Sequence, residues 1–259
     1  MISDRTSGAA SPVIVGVDGS EAGRNAALWA VDEAVSRGLP LKLVSATKPK
    51  HLGTEDYYDD LHRAQAAVAD ARAAIEATGR DVEVQADVVD GPATAALIEL
   101  SESAEMICVG TVGIGRYARS ILGSTATELA EKAHCPVAVI RPADGDTGQE
   151  IDWIVVALDD RPDSSEVVER AMQEAELRHA PVLALGDADP QNWKKRHPDV
   201  HVYPITDDAD VAHFLKKHDE RVQLAVIGST ETGDLAQIVG PHGHPVFHHA
   251  HSSALVVRS

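Results

Sequence analysis

Several short apolar segments in the first half of this chain recur in the second half, in the same order. Ile14-Val-Gly-Val-Asp18 is matched by Ile154-Val-Val-Ala-Leu-Asp159, and Met106-Ile-Cys-Val-Gly110 is matched by Leu224-Ala-Val-Ile-Gly228. An internal repeat of this kind is typical of a chain that folds one structural unit twice. The fold of the first copy therefore predicts most of the fold of the second.

In the first copy, short apolar runs alternate with segments whose apolar residues have helical spacing. This pattern predicts strands at residues 13–17, 41–46, 82–89, 106–109 and 137–140, and helices at residues 21–37, 61–77, 92–103 and 124–133. Alternating strands and helices favour a mainly parallel sheet that is covered by helices on both faces. The predicted fold class is α/β: two tandem Rossmann-like units, each with five strands.

The second copy is shorter than the first. The offset between matched residues falls from 141 at Asp18/Asp159 to 118 at Gly110/Gly228, so about two dozen residues are missing. The predicted helix 61–77 has no clear counterpart, and residues 187–200 read as a loop with at most a short turn near Trp193. We expect one domain at residues 1–142, a shortened domain at 150–259, and a small polar linker at 143–149.

The charge balance limits the classes of partner. Acidic residues outnumber basic ones 41 to 23, giving a net charge of −18, which disfavours nucleic acid and anionic membranes. No run is long and apolar enough for a membrane span, and the first residues lack an export pattern. Cys108 and Cys135, the two cysteines of the chain, are expected to be buried free thiols in a reducing compartment. We therefore expect a cytoplasmic protein.

A glycine-rich segment follows the fourth predicted strand. Gly110, Gly113 and Gly123 are spaced as Gly-x2-Gly-x9-Gly and are followed by Ser124 and Thr125. Glycines allow the main chain to approach an anion closely, and the first amide groups of a helix that begins at Ser124 would point outward. The pattern predicts a phosphate site that is built from peptide dipoles.

This spacing resembles the nucleotide-binding signature of the universal stress protein family. Val13-Ile-Val-Gly-Val-Asp18 before it and His134-Cys-Pro-Val-Ala-Val-Ile-Arg141 after it agree with the same family, in the family's order, over roughly the first 142 residues. The resemblance implies a Rossmann-like fold of the HUP type that binds ATP, with or without magnesium. It places Asp18 against the nucleoside and Ala46 in the adenine pocket. By the same resemblance, the ribose and phosphates are held by Gly110, Gly113, Gly123, Ser124 and Thr125.

Some of these residues also have an ordinary structural explanation that needs no ligand. Asp18 before a glycine fits a turn or a helix cap, and Ser124 fits a helix N-cap without any ligand. Arg116 and Arg119 fit either a terminal phosphate or a solvated surface. Two other nucleotide motifs are excluded: the dinucleotide fingerprint would have to follow the first strand of its unit, and no P-loop sequence occurs.

The second copy carries a damaged form of the glycine segment. Glu231 stands at the place of the second glycine and Pro241 at the place of Ser124. A carboxylate repels phosphate, and proline lacks both the amide donor and the hydroxyl, so we expect one nucleotide site per chain. Five histidines between His242 and His251 suggest a metal site, but their spacing fits no structural zinc site and a surface segment is favoured.

The function that these observations predict is nucleotide-dependent regulation in a stress response. Occupancy of the site would order the arm 114–122 and change a surface that a partner protein reads. No placed nucleophile, carboxylate pair or metal set indicates an enzyme. A nucleotide-free scaffold is the alternative, and a slow ATP hydrolase is the third hypothesis. The closing strands 137–140 and 254–257 are expected to pack against each other as in the family's dimers, which leaves a further homodimer open.

Overall fold

The computed structural model describes residues 10–48, 53–111, 122–141, 152–158, 164–187, 191–206, 208–218, 220–240 and 252–258. Ten strands in these ranges form a single sheet with the order β3-β2-β1-β4-β5-β10-β9-β6-β7-β8. The strands are β1 Val13–Gly16, β2 Leu41–Ala46, β3 Val84–Val89, β4 Met106–Gly110, β5 Val137–Ile140, β6 Trp153–Ala157, β7 Val182–Leu185, β8 Val202–Ile205, β9 Val222–Gly228 and β10 Ser253–Val257.

Each half of the sheet is parallel, and the halves meet at one antiparallel junction. Strands β5 and β10 pair there, with Val139 opposite Ala254 and Val137 opposite Val256. The predicted α/β class with five mainly parallel strands in each half is confirmed. The expected linker, residues 143–149, lies outside the described residues, so the domain boundaries at 142 and 150 stay a prediction.

Helices cover both faces of the sheet, since their apolar residues fall into two separate buried clusters. The helices on one face are α1 Glu21–Arg37, α2 Thr54–Glu76, α5 Ser164–Arg178 and α6 Gln191–Arg196. Those on the other face are α3 Ala93–Leu100, α4 Ser124–Lys132, α7 Val211–Lys217 and α8 Leu235–Ile238. Of the helices in these ranges, none has the length and apolar content that crossing a bilayer requires.

Helix α1 shows how local sequence sets the element boundaries near the site. The Ser20 hydroxyl accepts a hydrogen bond from the Gly23 amide and caps the start of the helix. Gly38 ends it with a φ of 63°, in the left-handed region that favours glycine. The apolar stripe between these caps packs on β1 and β4 and fixes the helix over the carboxyl ends of both strands.

Two elements differ from the sequence prediction. Helix α2 begins at Thr54, seven residues before the predicted start, because Glu55 and Asp56 suit the positive end of its dipole. The buried Asp60 also accepts a hydrogen bond from the Lys48 amide at 2.5 Å, which attaches this first part of the helix to the loop after β2. Residues 191–196 form the short helix α6 where a turn was expected.

A buried network of charged side chains joins α1 to α5, across the two halves. Glu33 and Glu174 are both completely inaccessible to solvent. Arg178 Nη2 lies 2.6 Å from Glu33 Oε1, and Arg37 Nη2 lies 3.5 Å from Glu174 Oε1. Each arginine also pairs with the glutamate four residues earlier on its own helix, and the Trp29 ring stacks on the Arg178 guanidinium at 4.4 Å. Helices α1 and α5 are thus joined by reciprocal ion pairs.

The pKa values of the two buried carboxyl groups are shifted in opposite directions. Burial raises the pKa of Glu174 to about 7; Arg178 and Arg170 oppose this rise and the charge of Glu33 adds to it. Burial acts on Glu33 in the same way, but Arg178 and Arg37 outweigh it and hold the pKa of Glu33 below its ordinary value. Glu174 is therefore the member of the pair that holds a proton in mildly acidic solution.

This titration predicts a loss of stability as the pH rises. A glutamate with a raised folded pKa stabilises the fold fully below its unfolded pKa of about 4.5, and that contribution is lost as the pH rises towards 7. Between pH 5 and pH 8 the wild type should lose about 2–3 kcal/mol relative to Glu174→Gln. Denaturant unfolding of both proteins at the two pH values measures the difference, in which the histidine titrations cancel. Parallel pH profiles for the two proteins would contradict the assignment.

Candidate functional site

A cleft opens at the carboxyl ends of β1, β2 and β4, where the strand order of the first half changes direction. Strand β1 lies between β2 and β4 in the sheet, so the chain leaves it towards β2 and later returns on its other side to β4. Crevices at such switch points are the usual ligand sites of open parallel sheets. The cleft is open to solvent and has a cavity volume of about 220 Å³.

Six of the seven predicted site residues line this first-half cleft. They are Asp18, Ala46, Gly110, Gly123, Ser124 and Thr125. Gly113 lies outside the described residues, as do Arg116, Arg119 and most of the predicted arm. The structure therefore brings together three separate parts of the sequence: the end of β1, the end of β2, and the segment from β4 to α4.

Further lining residues were missed in the sequence analysis, and they supply an apolar wall. Val44, Leu97 and Val109 face the cleft beside Ala46, and Ala93 lies one helical turn before Leu97 on α3. The spacing of Ala93 and Leu97 was a usable signal, because residues four apart share one face of a helix. The polar lining comes from Asp18, Ser20 and the start of α4, which lies next to α3.

The loop after β1 is organised by its own polar side chains. Asp18 Oδ1 accepts a hydrogen bond from the Ser20 amide at 3.0 Å, and Ser20 in turn caps α1. A Cβ at Gly23 would lie 3.2 Å from Asp18 Oδ1 and 3.3 Å from Ser20 Oγ. Asp18 thus has the turn-forming role that its sequence context allowed, and it lines the cleft as well.

Helix α4 presents its amino terminus to the cleft. Gly123, rather than Ser124, is the N-cap residue, and no side chain in the described part of the chain caps this end. The alternative that Ser124 serves only as a helix cap is therefore wrong. The first amide groups of a helix lack partners within the helix, so those of Ser124 and Thr125 can donate to a ligand. The Thr125 hydroxyl is held against Thr94 of α3 at 3.2 Å.

Gly110 has a packing role in addition to its place in the cleft. A Cβ at this position would lie 2.5 Å from the carbonyl carbon of Ala22 and 2.6 Å from its Cβ. Real Cβ atoms do not approach backbone this closely, so the missing side chain allows α1 to sit directly on β4. The glycine motif predicts a phosphate contact for this residue, but it carries no signal for the contact with α1.

In the corresponding segment of the second half, a glutamate side chain accepts a hydrogen bond from a backbone amide of the same segment. Glu231 Oε2 accepts a hydrogen bond from the amide of Gly228, the last residue of β9, at 2.8 Å. Glu231 thus places a negative charge beside the amide that matches Gly110 of the first half. Pro241 and the histidines from His242 to His251 lie outside the described residues. In the ranges that are described, no three histidine, cysteine or acidic side chains could share a metal ion.

Comparisons with known proteins agree with this architecture. The model of the universal stress protein family matches residues 10–141. The chain is 55% identical to Universal stress protein Rv2624c of Mycobacterium tuberculosis over 260 residues, covering 95% of this chain and 96% of the relative. It is 33% identical to Universal stress protein Rv2028c of the same organism over 265 residues, covering 95% of both chains.

Solved structures share the fold over almost the full length. The crystal structure of a universal stress protein from Archaeoglobus fulgidus superposes with a TM-score of 0.67 at 14% identity, covering 95% of this chain and 96% of that one. A protein of Pseudomonas aeruginosa described as a putative universal stress protein gives 0.59 at 14% identity, covering 96% and 93%. At this identity the likeness concerns the fold. Taken with the family match and the two sequence relatives, it leads to one conclusion: this chain belongs to the universal stress protein family.

Proposed function

We propose that the first-half cleft binds an adenine nucleotide, ATP in particular, and that the protein uses this occupancy to regulate a stress response. The single observation that carries the proposal is the pairing of two features in one cleft. Apolar side chains that suit a flat base line the same cleft as the start of α4, whose first amides can donate to phosphate oxygens. Neither feature alone would select a nucleotide.

The geometry supports one orientation of the ligand. The base would lie against Val44, Ala46 and Leu97, and the phosphates would lie towards Gly123, Ser124 and Thr125. In a molecule with a net charge of −18, general attraction does not hold a polyphosphate, so the peptide dipoles of α4 must do so. Gly113 completes the predicted set; magnesium, where it accompanies ATP, would bind the phosphates.

We propose one site per chain. The second half has Glu231 on the amide of Gly228, and a carboxylate at that position repels a phosphate. We therefore assign the second half a structural role. The hypothesis of a nucleotide-free scaffold would then hold for this half and not for the first. A partner protein would recognise the nucleotide-bound state. We place the protein in the cytoplasm, because the buried free thiols Cys108 and Cys135 fit its reducing conditions.

Titration calorimetry with ATP tests the proposal. Wild type should bind with a stoichiometry of one, and Ser124→Pro should lower the affinity by at least about tenfold, because proline removes both an amide donor and the hydroxyl. Proline suits this place structurally: Ser124 is the first residue of α4, and the preceding Gly123 has φ −67° and ψ 149°. The melting temperature should therefore remain unchanged.

Ser124→Ala is the matched control, since it removes the hydroxyl and keeps the amide. It should bind ATP more tightly than the proline variant does. Two equivalent sites per chain, no binding by wild type, or full affinity in Ser124→Pro would each contradict the proposal. Release of inorganic phosphate during the same incubation tests the slow-hydrolase hypothesis separately.

A further inference from the structure

Two arginines cross the junction between the halves and contact helix ends on the far side. Arg258, directly after β10, donates from Nη2 to the carbonyl oxygen of Leu129 at 3.3 Å and also to that of Ala130. Arg141, directly after β5, donates from Nη1 to the carbonyl oxygen of Val239. Because β5 and β10 run antiparallel, the carboxyl end of each strand lies beside the amino end of its partner, and each arginine reaches a helix end in the other half.

The two contacts are equivalent by the internal repeat. Arg141 ends the segment that begins at His134, and Arg258 ends the matching segment that begins at His251. Leu129 and Ala130 lie in the last turn of α4, and Val239 directly follows α8. The last carbonyls of a helix form the negative end of its dipole, which a guanidinium suits. The carbonyl of Leu129 also accepts a hydrogen bond from the Ala133 amide at 2.9 Å.

Only one of the two helices belongs to the first-half cleft. Helix α4 has nine residues, about 13 Å of length, and begins at Ser124 in the cleft wall. Its two ends are therefore a short rigid distance apart. Arg258 holds one end, and the Thr94–Thr125 hydrogen bond holds the other at 3.2 Å. A shift of the carboxyl end of α4 would move the amides that face the cleft.

We propose that Arg258 is a positioning residue of the first-half cleft: from the second half of the chain, it fixes α4 so that the amides of Ser124 and Thr125 stay aimed at the ligand. The inference rests on the proposed nucleotide function for its ligand and on the Arg258 contact for its geometry. It gives the second half a part in the site of the first. Arg141 makes the same contact on the half that we expect to be without a site, and so provides a matched comparison.

Binding of ATP and of adenosine to three proteins tests this role. Arg258→Gln should weaken ATP binding by about five- to tenfold, because the amides lose their alignment with the phosphates. Adenosine binding should change little, since the base contacts come from β2 and α3. Arg141→Gln should lower the melting temperature by about as much as Arg258→Gln does. It should leave the affinities for ATP and adenosine unchanged. Arg258→Lys, which keeps the cation, should recover part of the ATP affinity.

Hydrogen exchange without nucleotide separates this inference from the proposed function. Arg258→Gln should speed exchange in residues 124–132 and Arg141→Gln in residues 235–239, each by about tenfold. Unchanged exchange in α4 overturns the inference whatever the ATP result, and so does equal ATP affinity in Arg258→Gln and wild type. Faster exchange in α4 of a protein that binds no ATP would support the contact and overturn the nucleotide function alone.

Discussion

Replacing Glu33 by alanine should destabilise the protein by roughly 3–5 kcal/mol, the cost of breaking a buried ion pair from one side. Glu33 is completely buried, and Arg37 and Arg178 each form an ion pair with it. Without it, the guanidinium groups of Arg37, Arg170 and Arg178 share the single carboxylate of Glu174. The pKa of Glu174 should then fall, because the charge of Glu33 no longer raises it. Denaturant unfolding at pH 7 measures the loss.

The chain contains a matched control for this prediction. Glu128 pairs with Lys132 four residues later on α4, as Glu33 pairs with Arg37 on α1, but the side chains of Glu128 and Lys132 are 44% and 56% exposed. Glu128→Ala should cost no more than about 0.5 kcal/mol. The double variant of Glu33 and Glu174 to alanine should cost less than the sum of the single variants, because both belong to one network. Equal costs for Glu33→Ala and Glu128→Ala would show that burial adds nothing to the pair.

The sequence pattern was sufficient for the sheet because strand signals are local. A buried parallel strand reads as a short apolar run, and the repeat gave a second copy of most of these signals. Strand β8 was not located from the sequence, and half of its residues are exposed. The same pattern could not locate the ion pairs, since charged residues on helices are usually solvated. One clue was available: the 141-residue offset that relates Asp18 to Asp159 also relates Glu33 to Glu174 and Arg37 to Arg178. Only the structure shows that these side chains of α1 and α5 meet and form ion pairs.

The cleft was predictable to the extent that it is built from strand ends and a glycine motif. Ala46 and Gly110 end β2 and β4, and Asp18 follows β1 by two residues, so the topology brings all three to one edge of the sheet. Leu97 was missed because it lies on α3, and its approach to the cleft depends on how that helix packs. The contact of Arg258 was missed for a similar reason: it crosses from one half to the other, so its partner is 129 residues away in the sequence.

Replacing Gly110 by alanine should destabilise the protein by about 3 kcal/mol, the upper end of the usual cost of overpacking, and weaken ATP binding in parallel. The new Cβ would lie 2.5 to 2.8 Å from three atoms of Ala22, two of them backbone, and no flexible side-chain end can move aside. Helix α1 would have to lift from β4 and carry Ser20 and Gly23 out of the cleft wall. Thermal unfolding and ATP titration of the same variant measure both effects.

Gly53→Ala is the control for this change. Gly53, the N-cap residue of α2, has an extended φ of −172°, and its added Cβ would meet no atom of the described residues within 4 Å. The variant should therefore lose no more than about 1 kcal/mol, the usual cost of alanine at an N-cap. The two outcomes for Gly110→Ala separate two physical roles. Joint loss of stability and binding follows if the glycine is needed for the contact between α1 and β4. Lost binding at wild-type stability would mean that the glycine instead makes room for the ligand, and that α1 can adjust to a methyl group at this position.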